Sequence, residues 1–472
     1  MYVFFLLALV TLHHVGARDV DYCFAQEEDP YLLMGTKTAY DFVRSGRTGY
    51  QSVPNCEPLQ VWMTSVHGTS YPTPSEINGL LNLTEIRNHI IHNHENRGNG
   101  RLCNNDLEYL KRWNYNPYVT SSADSLTRQG YEDMKLLARR IQSGFRELLQ
   151  PVSAEINSMN YKLKAAQGQT TQSSMESFME GLFGSPNAVV PEMSPVNDTL
   201  LSTHKRCTVW NENSDGNDFD NEQRKQFDDG QEFQNLLQNV SRRLGFLYGL
   251  SKDSILAMYD MCRYEKSWQI TRLSTWCAVF SKDELRLLEY REDLNYYYIG
   301  GYGRDINNRL GCPLVQDMMS HFRSLEEGRV TREPRGIFYF TDVISFQNLL
   351  TSLEVAKDDM PLLYHNYRQM VRRQWRTSLI SPFAANIAAV FYKCRDNGLS
   401  YKVMFYLNEG PVRFRNCDVG LCDWQYLKGK FAHLWDCGLN ACWDKNGVAT
   451  IHTGHFLTFS LTMFLLTRFF LH

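Results

Sequence analysis

One stretch decides the fold of this chain: Leu59-Gln60-Val61-Trp62-Met63-Thr64, continued by Ser65-Val66-His67-Gly68-Thr69-Ser70-Tyr71-Pro72. Its first part has the apolar, β-branched and aromatic character of a buried strand. Pro72 and Pro74, followed by Ser75 and Glu76, predict the start of a helix. His67 therefore lies in a turn between a strand and a helix, where free backbone N–H groups and the helix dipole favour an anion. Taken alone, the His-Gly pair also fits a turn histidine without any function.

The composition is typical of a large globular protein. The chain has 472 residues, of which 43% are hydrophobic, enough for two to three structural units, with insertion of one domain into another as an option. The formal net charge is −3, and the sequence has no basic tail or Lys/Arg block. These features argue against nucleic acid as a partner.

The two ends of the chain resemble processing signals. Residues 1–17 form a short apolar segment with small residues before Arg18, which predicts a signal peptide cut after Ala17. Residues 446–472 end in an apolar run that is shorter than the roughly 20 residues a comfortable transmembrane helix needs. Small residues before that run predict a lipid-anchor signal, with a short membrane segment as the alternative. We therefore expect a secreted or surface-anchored protein that meets the membrane through its anchor.

Cysteines and glycosylation sequons agree with that compartment. All twelve cysteines follow residue 17, so disulfides are the default in an oxidising environment. Local bridges are hypothesised for Cys262–Cys277, Cys417–Cys422 and Cys437–Cys442. The four cysteines at 417, 422, 437 and 442 also resemble a zinc ribbon, but the spacing within each pair is longer than is usual for a metal site. No metal is predicted. The sequons predict glycosylation at Asn82, Asn197 and Asn239.

Strand-like segments lie on both sides of a helical middle. The strands are predicted at residues 59–64, 336–340 and 402–408, and helical periodicity begins near residue 125. This order predicts an α/β domain made of residues 18–124 and 320–445, with a helical cap domain of residues 125–319 inserted. Within the cap, residues 212–232 hold eight acids and few apolar side chains, which predicts a solvated, mobile loop. Two strand-to-turn junctions, at His67 and at Asp342, are expected to form walls of one site.

Seven segments stand out in order along nearly the whole chain. They are Gly35-Thr36-Lys37-Thr38-Ala39-Tyr40, His67-Gly68-Thr69 with Tyr71-Pro72-Thr73, Leu126-Thr127-Arg128-Gln129-Gly130, residues 169–184 ending in Glu180-Gly181-Leu182-Phe183-Gly184, Val196-Asn197-Asp198-Thr199-Leu200-Leu201, Tyr302-Gly303-Arg304-Asp305-Ile306-Asn307 and Cys312-Pro313-Leu314-Val315-Gln316-Asp317. In these segments the chain resembles the histidine acid phosphatases, and specifically the multiple inositol polyphosphate phosphatases. The resemblance implies a histidine-phosphatase-like α/β domain with an inserted helical cap. It also implies phosphomonoester hydrolysis through a phosphohistidine, without a metal or organic cofactor.

The resemblance further implies where the catalytic residues should lie. The family's loop reads Arg-His-Gly-any-Arg-any-Pro, a third arginine lies upstream of the Gly-Leu-Phe-Gly segment, and a late His-Ala-Glu binds phosphate and protonates the leaving group. By this correspondence His67 is the nucleophile position. The arginine positions carry Val66, Ser70 and Thr170, and the His-Ala-Glu positions carry Asp342, Val343 and Ile344.

These replacements remove the charges that phosphoryl transfer requires. The enzymatic reaction depends on positioning and on stabilising charge at the phosphoryl oxygens, and each lost preorganised donor typically lowers kcat on the order of 10²–10³-fold. Ionised Asp342 would repel phosphate, whereas Asp342 kept protonated by burial could donate a proton. Ile344 cannot donate one. The sequence therefore predicts a catalytically inactive homologue that acts by binding.

Two alternatives remain open at this point. One is a residual or redirected acid phosphatase acting on inositol phosphates or another phosphomonoester ligand, and the other is a structural extracellular glycoprotein. For the first alternative, Arg368, Arg372 and Arg376 recur every four residues and would share one helical face, which could form a relocated anion site or a solvated basic stripe.

Overall fold

The computed structural model describes residues 23, 31–44, 49–50, 52–211, 221–395, 398–417 and 419–442. Its centre is a seven-stranded sheet in the order β2-β3-β1-β4-β5-β6, in which β7 pairs with β5. The strands are β1 (Cys56–Val66), β2 (Tyr161–Ala165), β3 (Gly336–Thr341), β4 (Asn386–Cys394), β5 (Ser400–Leu407), β6 (Gly410–Pro411) and β7 (Leu421–Asp423). Strands β2, β3 and β1 run parallel, whereas β4 and β5 continue the sheet in antiparallel pairing.

The α-helices cover both faces of the sheet and fill the segments between strands. In chain order they are α1 (Tyr40–Val43), α2 (Pro74–Leu80), α3 (Leu83–Glu95), α4 (Asn104–Arg112), α5 (Tyr118–Ser121), α6 (Arg128–Gly144), α7 (Arg146–Leu149), α8 (Gln169–Phe183), α9 (Thr203–Arg206), α10 (Thr208–Asn211), α11 (Glu222–Asp229), α12 (Gln231–Arg243), α13 (Lys252–Trp268), α14 (Lys282–Ile299), α15 (Asp305–Glu326), α16 (Val343–Ser352), α17 (Thr377–Ile380) and α18 (Trp424–Lys430). The predicted mixed α/β fold is therefore confirmed.

Strand β1 separates two hydrophobic clusters. Trp62 and Val66 pack into the cluster on one face of the sheet, and Val61 and Met63 pack into the cluster on the other. Successive side chains of a strand point to opposite faces, so burial on both faces requires a nearly continuous apolar strand. The strand continues directly into the turn and then into α2, where Thr73 and Glu76 form a capping box.

Part of the segment predicted as a helical cap belongs to the sheet. Strand β2 lies within residues 125–319, yet it pairs with β3 along its whole length. Helices α6 and α8 pack against each other and contribute to the hydrophobic cluster on that face of the sheet. The predicted cap boundary at residue 125 is corrected accordingly, because the apolar faces of α6 and α8 cover the parallel strands. The division into domains stays a proposal.

The predicted acidic loop is helical where the structure describes it. Residues 212–220 lie outside the described residues, but residues 222–229 form α11 and α12 begins at Gln231. Asp228 is buried, and its carboxylate accepts hydrogen bonds from Arg291 Nε at 2.6 Å and Nη2 at 2.9 Å. The prediction of a solvated, mobile segment is wrong for this part, because a distant arginine on α14 neutralises the acid.

All twelve cysteines are paired in six disulfides. The predicted Cys262–Cys277 and Cys417–Cys422 bridges are present. The predicted Cys437–Cys442 bridge is wrong, and a zinc site on the last four cysteines is excluded, because Cys437 pairs with Cys312 and Cys442 pairs with Cys207. The remaining disulfides are Cys23–Cys103 and Cys56–Cys394. Six disulfides are consistent with a protein of the secretory pathway.

Two further predictions concern membranes and a basic helix. Within the described ranges, no helix combines the length and apolar character that a bilayer span requires; the predicted signal peptide at residues 1–17 and the anchor segment at residues 446–472 lie outside those ranges. The prediction that Arg368, Arg372 and Arg376 share one helical face is wrong, because residues 367–372 form turns and not a helix. Arg368 pairs with Glu232 and Arg376 with Glu289.

Candidate active site

The two predicted strand-to-turn junctions meet at one edge of the sheet. Val66, the last residue of β1, is in register with Thr341, the last residue of β3. The next residues are His67 and Asp342, and the backbone N–H of His67 donates to the carbonyl of Thr341 at 3.2 Å. Ligands collect beyond the carboxyl ends of parallel strands, so this edge is the candidate active site.

His67 is fixed by its backbone and by its own turn. Its carbonyl accepts the N–H of Ala384 at 2.9 Å, and its Nδ1 lies 2.8 Å from the carbonyl of Gly68. Burial is the largest influence on this imidazole and lowers its pKa, although the Gly68 carbonyl acts in the opposite direction. His67 is consequently neutral near neutral pH, with Nδ1 as the protonated nitrogen that donates to Gly68.

The turn leaves no room for a side chain at Gly68. A Cβ atom added at Gly68 would lie 2.5 Å from the carbonyl oxygen of Gly130, in the first turns of α6. The N–H of Gly68 donates to Ser174 Oγ at 2.9 Å, and Ser174 Oγ donates to the carbonyl of Thr170 at 2.6 Å. Helices α6 and α8 therefore hold the turn, and Thr170 lies in the same local network as His67.

The three positions that would hold phosphate carry uncharged side chains. Val66 is 2% exposed and belongs to the hydrophobic core. Ser70 is 6% exposed, and its carbonyl accepts a hydrogen bond from the indole N–H of Trp268 at 3.0 Å. Thr170 is also buried, in the first turn of α8. The geometry brings these three positions to one turn, but they supply no positive charge to it.

Asp342 and Ile344 begin the helix that follows β3. Asp342 is the N-cap of α16, and its Oδ1 accepts the N–H of Ser345 at 2.9 Å. Its Oδ2 lies 3.3 Å from Lys205 Nζ and 3.7 Å from His204 Nε2. Burial alone would raise the pKa of this carboxyl, but the neighbouring His204 and Lys205 and the hydrogen bond from the Ser345 N–H together outweigh burial and lower it.

The contact with Lys205 and the lowered pKa both favour the ionised form of Asp342, and they argue against a protonated Asp342 that donates a proton. Ile344 packs against the apolar cluster that includes Trp210, Ile299 and Leu310. Neither position offers an acidic proton to a leaving group at neutral pH.

Besides Lys205, which lies next to Asp342, sequence reasoning missed the cation Lys37 near the turn. Lys37 belongs to a segment that carried the family resemblance, yet no role was assigned to it. Its Nζ lies 5.2 Å from the ring centre of Tyr264 and 5.7 Å from that of Phe383, whose ring centre is 6.1 Å from the His67 ring. The same Nζ is 3.5 Å from Glu76 Oε1, so the charge is paired. The lysine belongs to the quoted motif, but its partners Glu76, Tyr264 and Phe383 come from three separate segments.

The predicted glycosylation positions are accessible. Asn82 lies between α2 and α3, Asn197 lies in the segment before α9, and Asn239 lies on α12. All three residues are exposed, which an N-linked glycan requires. Their modification stays a prediction.

Comparison with known proteins places this arrangement in a family. The Histidine phosphatase superfamily (branch 2) matches residues 61–408. Multiple inositol polyphosphate phosphatase 1 of Drosophila melanogaster is 36% identical over 450 residues, which cover 93% of either chain. Multiple inositol polyphosphate phosphatase 1 of Homo sapiens is 28% identical over 413 residues, which cover 82% of either chain.

Solved structures with the same fold include two from microbes. The phytase from D. castellii superposes with a TM-score of 0.68 at 16% identity, with 88% of each chain covered. Multiple inositol polyphosphate phosphatase of Bifidobacterium longum, in complex with inositol hexasulfate, superposes with a TM-score of 0.63 at 13% identity, covering 87% of this chain and 99% of that one. At such low identity these structures show the shared fold alone.

Proposed function

Since this chain belongs to the histidine phosphatase superfamily (branch 2), we propose that it is an inactive phosphatase homologue that acts outside the cell by binding. The carrying observation is that the positions expected to bind phosphate hold uncharged side chains: Val66 and Ser70 in the turn of residues 65–72, and Thr170 in the first turn of α8. Asp342, a carboxylic acid, follows β3 at the same edge of the sheet. The relatives' names identify phosphatases of inositol polyphosphates, and this chain belongs to the same family without the arginines that the resemblance implies at these positions.

The chemistry of the turn supports this proposal. A neutral imidazole can attack phosphorus, but the charge that develops on the phosphoryl oxygens needs preorganised cations. Each absent donor typically costs on the order of 10²–10³-fold in kcat. Effects of groups that act together are not additive, yet the loss of three such donors corresponds to several orders of magnitude.

We further propose that the protein is a secreted, lipid-anchored glycoprotein. The six disulfides and the three exposed sequon asparagines support the secretory pathway. The test of the anchor is treatment of cells with a phosphatidylinositol-specific phospholipase. Release of the cell-surface pool of the protein by the enzyme would support the lipid anchor. Persistence of that pool after phospholipase treatment argues for the alternative short membrane segment.

The activity test compares the secreted protein with its His67→Ala variant. Phosphate release is measured from inositol hexakisphosphate and from an aryl phosphate at acidic and neutral pH, with the Drosophila relative as the positive control. We expect no difference between the two proteins. Phosphate release that His67→Ala abolishes would overturn the proposal in favour of a residual acid phosphatase on inositol phosphates or other phosphomonoesters.

A further inference from the structure

A cavity of about 180 Å³ lies beside the turn, between α2, α13, α14 and the 3-10 turn Gly35–Lys37. Three of the side chains that line it are cations and three are carboxylates. They are Lys37, Arg263 and Arg291, and Glu76, Asp260 and Glu292. Formal charge within the lining is therefore balanced, in contrast to a site built to hold a polyanion.

Every cation of the cavity is engaged by a carboxylate. Lys37 Nζ lies 3.5 Å from Glu76, and Arg263 Nη2 lies 2.6 Å from Asp260 while its Nη1 bonds Glu292. Arg291 makes two hydrogen bonds to Asp228, which lies outside the lining. Pulling a partly buried cation away from its partner leaves an uncompensated carboxylate, which is strongly unfavourable.

Glu292 is the most constrained of these acids. Its Oε1 accepts the N–H of Thr36 at 2.9 Å and the hydroxyl of Thr36 at 2.6 Å. Gly35 has a φ of +55°, and a Cβ atom added there would lie 2.4 Å from the carboxylate of Glu292. The chain thus approaches this carboxylate as closely as only glycine permits, which fixes the acid within the cavity wall.

We propose that this cavity binds a neutral, polyhydroxylated ring, that is, an unphosphorylated cyclitol or a monosaccharide. Hydroxyl groups both donate and accept hydrogen bonds, so they match a lining in which carboxylate lone pairs and cationic N–H groups alternate. Paired charges retain this capacity because carboxylates accept several hydrogen bonds and guanidinium groups donate up to five. The half-buried ring of Tyr296 adds apolar surface for the C–H groups of the ligand.

A polyphosphate ring fits the same lining poorly. Its negative charges would meet three carboxylates at the cavity wall, and recruiting Lys37 or Arg263 would require breaking their existing ion pairs. This inference rests on the proposed binding function and specifies the ligand class. According to this proposal, the cavity recognises the hydroxyl groups of the ring and not phosphate groups.

Ligand-observed NMR on the secreted protein tests this proposal with myo-inositol, mannose and galactose, while calorimetry measures inositol hexakisphosphate at low and high salt. We expect at least one neutral ring to bind with little salt dependence and more tightly than the hexakisphosphate. The double variant Glu76→Gln/Glu292→Gln leaves Lys37 and Arg263 partly unpaired. It is expected to lose about tenfold in affinity for the neutral ring and to gain about tenfold, salt-dependent affinity for the hexakisphosphate.

Controls separate folding from recognition. Glu232→Gln removes a carboxylate that pairs with exposed Arg368 outside this cavity, and it should leave ring binding unchanged. Tyr296→Ala is a second test variant, which serves if the double variant does not fold. It keeps all charges of the cavity and should weaken ring binding, because it removes the apolar ring surface. Absence of binding for all neutral rings, or tighter binding of the hexakisphosphate by the unaltered protein, would overturn the proposal.

Phosphate release in the same samples is a separate readout. His67-dependent release contradicts the proposed inactivity, whereas ring binding decides the ligand class. The two failures are therefore distinguishable in one set of experiments.

Discussion

The turn of residues 65–72 and the cavity lined by Lys37 and Arg263 are neighbours, but they differ in how they hold positive charge. In the turn and in the first turn of α8 beside it, the positions where the family resemblance implies arginines carry Val66, Ser70 and Thr170. In the cavity the cations are present, and each is held by a carboxylate. Both regions are therefore poor hosts for a phosphate group, for different physical reasons.

This comparison shows that the residue type alone does not define an anion site. An arginine contributes to phosphate binding only when its charge is not already compensated by an acid of the protein. At the turn, where the cations are absent, a substitution should change the chemistry of the site and have little effect on folding. In the cavity the cations form ion pairs that stabilise the fold, so a substitution there should mainly change the free energy of unfolding.

The largest effect is expected when the charges of the turn are restored. We expect phosphate release from inositol hexakisphosphate to rise on the order of 10⁴-fold or more, because several preorganised donors return together. The variant combines Val66→Arg, Ser70→Arg, Thr170→Arg, Asp342→His and Ile344→Glu. The same variant with His67→Ala is the control and should stay inactive. A folded, restored protein without activity would mean that the defect lies elsewhere in the cleft.

The next largest effect concerns the folding role of the cavity. Arg263→Ala leaves Asp260 and Glu292 without their guanidinium partner, and we expect a loss of about 3–5 kcal/mol in the free energy of unfolding. Arg368→Ala is the matched control, because the side chain of Arg368 is 86% exposed; we expect a change within about 0.5 kcal/mol. Denaturant unfolding measures both. Equal losses in the two variants would show that an ion pair in the cavity stabilises the fold no more than an exposed ion pair on the surface.

A third effect appears in the acid range and isolates the Lys37–Glu76 pair. Burial alone would raise the pKa of Glu76, but Lys37 and the Thr73 hydrogen bonds outweigh it and lower this pKa from 4.5 to about 2. The folded state therefore favours the ionised carboxylate. Its contribution to stability is complete above pH 4.5 and is lost as the pH falls toward 2, at no more than about 1.4 kcal/mol per pH unit.

Glu76→Gln tests this pair, because it removes the titrating group without changing the size of the side chain. The loss of unfolding free energy between pH 4.5 and pH 2 should be less steep in the variant, measured by urea unfolding at a series of pH values. Identical slopes in the two proteins would show that Glu76 has no perturbed pKa. Lys37 would then no longer count as a cation whose charge Glu76 compensates.

The smallest effect is expected at His67 itself. The imidazole bonds the carbonyl of its own neighbour Gly68, so His67→Ala should lower the free energy of unfolding by about 1 kcal/mol. Thermal or urea unfolding of the two proteins measures it. A loss as large as that of Arg263→Ala would show that the turn, like the cavity, is retained for folding, and would favour a purely structural role.

The sequence by itself determined the elements whose signals are local. The strand before His67 and the helix beginning at Pro74 follow from adjacent residues, and the apolar positions Met134, Leu137 and Ile141 all lie buried on one face of α6. Bridges between near neighbours, such as Cys262–Cys277, were also predictable. The lost charges of the turn needed only a comparison of residue types at matched positions.

Tertiary structure alone decided which distant groups neutralise each other. The pairing of Asp228 with Arg291, of Arg263 with Glu292 and of Cys437 with Cys312 joins segments that are far apart in the chain. Local periodicity carries no information on such partners, because burial and charge compensation arise only when the segments pack. For the same reason the sequence showed that the turn is uncharged, whereas the structure was required to show that the neighbouring cations are already compensated.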